Sequence, residues 1–122
     1  MNNTAVEAPL VLIVDDNEKN LKLARDVLLA AGFRTLEAVT AGDAIVLAEE
    51  HLPDVVLMDV RLPDMDGTLA ARRLGERSQT SGIPVVALTS LTLDDVAGFA
   101  GYLAKPIDVE AFPEQVRGYC RG

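Results

Sequence analysis

Leu10-Val11-Leu12-Ile13-Val14-Asp15-Asp16 is the stretch that decides how the chain folds. Five apolar residues run without polar alternation, as in a strand buried on both faces, and the run stops at two carboxylates. Val55-Val56-Leu57-Met58-Asp59 repeats the pattern, and Val85-Val86-Ala87-Leu88-Thr89, after Pro84, repeats it with a hydroxyl at its end. Arg34 to Ala38 reads as a weaker strand and Tyr102 to Ala104 as a brief one. Between them the period changes to that of a helix. Asn17 to Ala31 places Leu21, Ala24, Val27, Leu28 and Ala31 on one face, with Gly32 as the closing residue. Ala41 to His51 turns Ala44, Ile45, Leu47 and Ala48 inward; Thr68 to Ser78 and Val109 to Tyr119 follow the same logic, the last carrying Phe112 and Val116. Leu93 to Ala100 is short and reads ambiguously as a brief helix. Alternating strands and helices with doubly buried strands predict a parallel sheet covered by helices on both sides.

The bulk properties set limits on function. A length of 122 residues fits one domain, and an apolar content of 49% supplies a core. The longest apolar runs are far below the ~20 residues of a spanning helix, so no membrane insertion is expected. The first nine residues lack the basic start and apolar run of a secretory signal. Cys120 is the single cysteine, so no internal disulfide forms, which suits a cytoplasmic location. A net charge of −8, with 19 acids against 11 bases, argues against a nucleic-acid partner. It accords with a cation site or a basic protein partner, and equally with plain solubility.

In a sheet of this kind, chemistry gathers beyond the carboxyl ends of the strands. Those ends carry Asp15-Asp16, Asp59, Thr89-Ser90 and Lys105-Pro106. Three clustered carboxylates repel one another, and a hard divalent cation such as Mg²⁺ offsets that repulsion while leaving room for a phosphate. An ammonium and a hydroxyl opposite the metal suit phosphoryl oxygens, and a carboxylate is itself a competent nucleophile. Each residue also has a plainer reading. Asp16 would serve as the N-cap of the first helix, Asp15 as a solvated loop acid, Asp59 as a turn residue, Thr89 as strand filler and Lys105 as an exposed lysine before a turn. Their coincidence at four separate strand ends favours a site. His51 closes the second helix, and with no other histidine a metal centre of clustered imidazoles is excluded.

With these residues in view, the chain resembles the receiver domain of bacterial two-component response regulators. The matching segments are LIVDDNEKN (Leu12 to Asn20), VVLMDVRLPDMDG (Val55 to Gly67), PVVALTS (Pro84 to Ser90) and GYLAKPID (Gly101 to Asp108), so the likeness covers nearly all of the chain. The resemblance implies a flavodoxin-like, doubly wound, five-stranded parallel sheet of order 2-1-3-4-5, as one receiver domain over 1–122 with its core at about 10–120. It implies a phosphoryl-accepting switch. Asp59 is then the phosphoacceptor. Asp15, Asp16 and Asp59 hold Mg²⁺ together with the backbone carbonyl of Arg61, Asp16 more directly and Asp15 through water. Thr89, Ser90 and Lys105 meet the phosphoryl group; Asp59, Lys105 and Thr89 carry the chemistry. Thr89 and Tyr102 form the switch pair, and Pro106 follows Lys105 through a bond that is usually cis in the family. The implied donor is a phosphohistidine on a sensor histidine kinase or a histidine phosphotransfer protein; the implied output is protein contact or onward relay. The only catalysis implied is self-phosphorylation and self-dephosphorylation.

The sequence departs from the family pattern in places. Ser90 stands where the family more often has Ala. The stretch from Thr89 to Lys105 is shorter than usual by about six residues, more than one helical turn. That implies a shortened fourth helix between Ser90 and Gly101. Arg61 and Leu91 occupy the positions that influence water attack on the phosphate, and neither orients water as a carboxylate or amide does. No effector segment follows the last helix, as in regulators consisting of a receiver alone or in an excised receiver. Two alternatives stand beside this reading. One is a degenerate receiver that binds partners without phosphorylation. The other is a haloacid-dehalogenase-like phosphatase using Asp64 and Asp66, because Asp64-Met65-Asp66-Gly67-Thr68 has the look of that nucleophile motif. Such a motif should directly follow a buried strand, whereas here Arg61-Leu62-Pro63 intervenes.

Overall fold

The computed structural model describes residues 8–90 and 98–120. Its elements run β1 (Leu10–Val14), α1 (Glu18–Ala30), β2 (Arg34–Ala38), α2 (Ala41–His51), β3 (Val55–Asp59), α3 (Gly67–Glu76), β4 (Val85–Thr89), β5 (Gly101–Ala104) and α4 (Phe112–Tyr119). The strands form one parallel sheet in the order β2-β1-β3-β4-β5, as expected.

Alternate side chains of each strand enter opposite layers. Leu12, Val14, Val56 and Met58 meet Ala44, Ala48 of α2 and Ala70, Ala71, Leu74 of α3 on one side. Val11, Ile13, Val55, Leu57, Val86 and Leu88 meet Leu21, Ala24, Leu28 of α1 and Phe112, Val116 of α4 on the other. The unbroken apolar runs follow from this double coverage. Phe112 is fully buried, and truncating it to Ala opens a void costing about 3–5 kcal/mol.

Local chemistry sets the helix starts. Asn17 accepts hydrogen bonds from the amides of Lys19 and Asn20, at 2.9 and 3.1 Å, and so caps α1. Gly32, at φ +92°, takes the left-handed conformation after the last turn of α1. Thr40 caps α2 through the amide of Asp43, and Asp66 caps α3 through the amide of Thr68. The last helix begins at Phe112 rather than Val109. Asp108 holds Glu110 and Ala111 in a turn by accepting from both amides, and Pro113 then fits the first helical turn, where its missing N–H costs nothing.

The short helix expected between Ser90 and Gly101 falls largely on residues 91–97, outside the described residues. The described part, Gly98 to Ala100, is a turn rather than the end of a helix reaching Ala100, with Gly98 at φ +93°. Phe99 from this turn packs against the layer under α2 and α3.

Candidate functional site

Parallel strands of matched register bring Asp15, Asp59, Thr89 and Lys105 to one edge of the sheet. Val14 lies beside Met58, Asp59 beside Leu88 and Thr89 beside Ala104. Carboxylate oxygens of Asp15, Asp16 and Asp59 all lie within 4.8 Å of one another. The ammonium of Lys105 lies between two of them, donating to Oδ2 of Asp15 at 2.7 Å and to Oδ2 of Asp59 at 3.0 Å. Burial opposes the lysine's charge, but its hydrogen bonds to both aspartates, together with their negative charges, outweigh that and raise the pKa of Lys105 above the usual lysine value.

The three acids have different surroundings. Asp15 is 1% exposed and saturated with donors. Besides Lys105 it accepts from the amide of Asn17 at 2.9 Å and the side-chain amide of Asn20 at 3.2 Å. A carboxylate has about four acceptor sites, so little of Asp15 is left for a direct ligand bond. Asp16 is exposed and carries no cap, because Asn17 has that role; the solvated-loop reading of Asp15 and the helix-cap reading of Asp16 are both corrected. Asp59 is 18% exposed, and its Oδ1 accepts from the amide of Arg61 at 3.1 Å.

Asp16, Asp59, Val60, Arg61, Thr89, Ser90 and Lys105 line one cleft of about 250 Å³. Larger hollows occur, including one of 560 Å³ between α1 and the β2–α2 junction, but its charged lining includes the already paired Arg25 and Glu37. The all-oxygen donor set of the acidic cleft fits a hard cation such as Mg²⁺ and does not suit a soft one.

Thr89 is buried at the end of β4 and Ser90 is exposed at the rim. Tyr102 is not brought into the cleft: it sits exposed on the edge strand, in register with Ala87. The peptide bond from Lys105 to Pro106 is cis. Asp64 and Asp66 also lie away from the cluster. Asp66 caps α3, and Asp64 accepts from the amides of Ala41 and Gly42 at the start of α2, both at 2.9 Å. Both acids of the phosphatase-like motif are thus occupied in holding helix starts.

Sequence reasoning missed the roles of Asn17 and Asn20, and placed Asp64 only in a nucleophile motif rather than at the start of α2. Asn17 carried a local signal, since Asn before a helix is a favoured cap. Asn20 and Asp64 carried none, because their partners are set by how the chain packs.

Comparisons with known proteins agree with this geometry. Residues 11–117 match the response regulator receiver domain family. The polar-differentiation response regulator DivK of Brucella ovis is 36% identical over 115 residues, covering 89% of this chain and 94% of that protein. The receiver domain of a sensor histidine kinase from Pseudomonas aeruginosa, solved with magnesium coordinated in its active-site cleft, superposes with a TM-score of 0.85. It is 29% identical, and the match covers 92% of this chain and 97% of that one. The chemotaxis response regulator CheY4 of Vibrio cholerae gives the same TM-score at 25% identity, covering 92% and 98% of the two chains. No helix among the described residues is long and apolar enough to cross a membrane. With the strand order, the acidic cleft and these matches in accord, the chain belongs to the response regulator receiver domain family of two-component signalling.

Proposed function

We propose that this receiver works as a phosphoryl-accepting switch with Asp59 as its acceptor. The observation that carries the reading is the Lys105 ammonium, shared between Asp15 and Asp59 at 2.7 and 3.0 Å in a cleft open to solvent. A lone pair of the Asp59 carboxylate forms the new O–P bond. The P–N pair of the phosphohistidine donor returns to the imidazole, which leaves with a proton taken from water. Lys105 steadies the phosphoryl oxygens as they arrive, and the Thr89 and Ser90 hydroxyls at the cleft donate hydrogen bonds to them. Tyr102, next to β4 on the edge strand, is the partner that follows Thr89, and Pro106 shapes the turn behind Lys105.

Asp16, Asp59 and the Arg61 backbone carbonyl would hold Mg²⁺, with Asp15 acting through water because its oxygens already accept three hydrogen bonds. When bound, the ion supplies positive charge against the phosphoryl oxygens and relieves the repulsion among the carboxylates. The partners in this reading are a sensor histidine kinase or histidine phosphotransfer protein upstream and a protein target downstream, with a cytoplasmic location. Catalysis is limited to self-phosphorylation and self-dephosphorylation.

The test is incubation with acetyl phosphate and Mg²⁺, followed by intact mass measurement. Wild type should gain a single phosphoryl group and Asp59→Asn none. An unlabelled wild type that still folds would favour a receiver acting without phosphorylation.

A further inference from the structure

Resting on the receiver reading, we infer that Asp64 is a positioning residue for cation binding: it fastens the loop that carries the Arg61 carbonyl to the first turn of α2.

The loop from Val60 to Asp66 leaves β3 directly after Asp59. Its base is held by its own backbone. The amide of Gly67 donates to the carbonyl of Val60 at 2.7 Å, and Arg61 and Asp66 form an antiparallel bridge. Gly67 packs so closely that a Cβ there would lie 2.5 Å from the carbonyl oxygen of Asp59. The tip needs other anchors. Leu62 and Met65 supply apolar ones by packing against the layer under α2 and α3.

Asp64 supplies the polar anchor. Its two carboxylate oxygens each accept from a different amide, Oδ1 from Ala41 and Oδ2 from Gly42, both at 2.9 Å. These hydrogen bonds, first from Ala41 and then from Gly42, hold the Asp64 carboxyl below the usual aspartate range, so the clip is intact at neutral pH. The fit is close: a Cβ on Gly42 would stand 3.4 Å from Oδ2. The anchored end is itself fixed, because Ala41 is fully buried.

The same segment also braces the other side of the cleft. The carbonyl of Ala38, three residues before Ala41, accepts from the amide of Asp15 at 3.1 Å. Residues 38–42 therefore tie down Asp15 through the backbone and the Arg61 loop through Asp64. Asp64 does not join the acidic cluster; it acts on that cluster through the loop.

The test is calorimetric titration of Mg²⁺ into wild type, Asp64→Ala, Asp64→Asn and Thr40→Ala, together with each protein's Tm. Thr40→Ala removes the cap that α2 makes for itself and leaves the loop clip in place. Asp64→Ala is expected to weaken Mg²⁺ binding about tenfold, the low end for losing a support behind a metal ligand. Asp64→Asn keeps an acceptor for one of the two amides and should fall between Asp64→Ala and wild type. Thr40→Ala should lower Tm and leave Mg²⁺ affinity unchanged. Labelling of Asp64→Ala by acetyl phosphate should be slow at limiting Mg²⁺ and recover at saturating Mg²⁺, which a general loss of stability does not produce. Should Asp64→Ala be unfolded at the assay temperature, Asp64→Asn against Thr40→Ala decides. Wild-type affinity in a folded Asp64 variant would overturn the inference, as would equal weakening by Thr40→Ala. A wild type that binds no Mg²⁺ would defeat the receiver reading itself, which is a separate outcome.

Discussion

Replacing Lys105 with Met keeps the length of the side chain and deletes its charge. The ammonium lies 2.7 Å from Asp15 and 3.0 Å from Asp59, with Asp15 1% exposed and the other two 18%. At an effective dielectric of about 20, each contact carries roughly 6 kcal/mol of Coulomb attraction. Releasing the ammonium from its partly desolvated position returns several kcal/mol. Breaking a fully buried pair typically costs about 3–5 kcal/mol, and here water reaches the cleft side, so about 2–3 kcal/mol is the expected loss. For a chain of this length that is a fall in Tm of roughly 8–12 °C. The cluster also becomes more negative by one charge, so Mg²⁺ should raise the Tm of Lys105→Met by more than it raises that of wild type. The chain has no tryptophan, so the melts are followed by circular dichroism, at low salt, with and without Mg²⁺. An unchanged Tm, or equal Mg²⁺ shifts in the two proteins, would refute the claim that Lys105 is the counter-charge of the acidic cluster.

Gly67→Ala should lower stability by about 1–3 kcal/mol, since its Cβ would press on the backbone of Asp59 and Val60, which has little freedom to yield. Gly75→Ala, within α3 and with nothing within 4 Å of the added Cβ, should instead stabilise by about 0.5–1 kcal/mol, and urea melts of the two report the difference in sign. Asp66→Ala should cost about 1 kcal/mol at pH 7 through loss of the α3 cap. Hydrogen bonds from Thr68, first from its amide and then from its hydroxyl, hold the Asp66 carboxyl below the usual aspartate range, so its contribution is present above that range and lost as pH falls through the lower folded value. The gap between wild type and Asp66→Ala in pH-dependent melts should therefore close only in strong acid. Arg61→Glu combined with Leu91→Lys should speed loss of the phosphoryl group, measured as decay of the phosphorylated mass, because a carboxylate beside Asp59 can orient water where Arg61 does not.

The fold was legible because buried parallel strands write themselves as unbroken apolar runs, and each run here ends at the residue that enters the cleft. Leu10 to Val14 and Val55 to Asp59 have the same bounds in the structure as in the sequence reading. The last helix was harder. Val109 looks like a helical apolar residue, but the Asp108 side chain captures the following amides and delays the helix to Phe112. The site was legible as a set of strand ends, while the division of labour within it was not. Whether Asp15 or Asp16 is buried depends on Asn17 taking the cap and Asn20 reaching back to Asp15. Asp64 and Asp66 suggested a nucleophile motif by their spacing alone. Their partners, the α2 amides and Thr68, show two caps, one of them made to a helix that lies far away in the chain.

The most direct test of the central claim is to locate the acyl phosphate. Protein phosphorylated by acetyl phosphate and Mg²⁺ is treated with borohydride, which reduces an aspartyl phosphate to homoserine, and is then digested with trypsin. The chain separates the rivals well, because cleavage after Arg34, Arg61 and Arg72 puts Asp59 in the 35–61 peptide and both Asp64 and Asp66 in the 62–72 peptide. Homoserine at position 59 is the result expected. Homoserine at Asp64 or Asp66, with position 59 unchanged, would contradict the assignment of Asp59 as the phosphoacceptor.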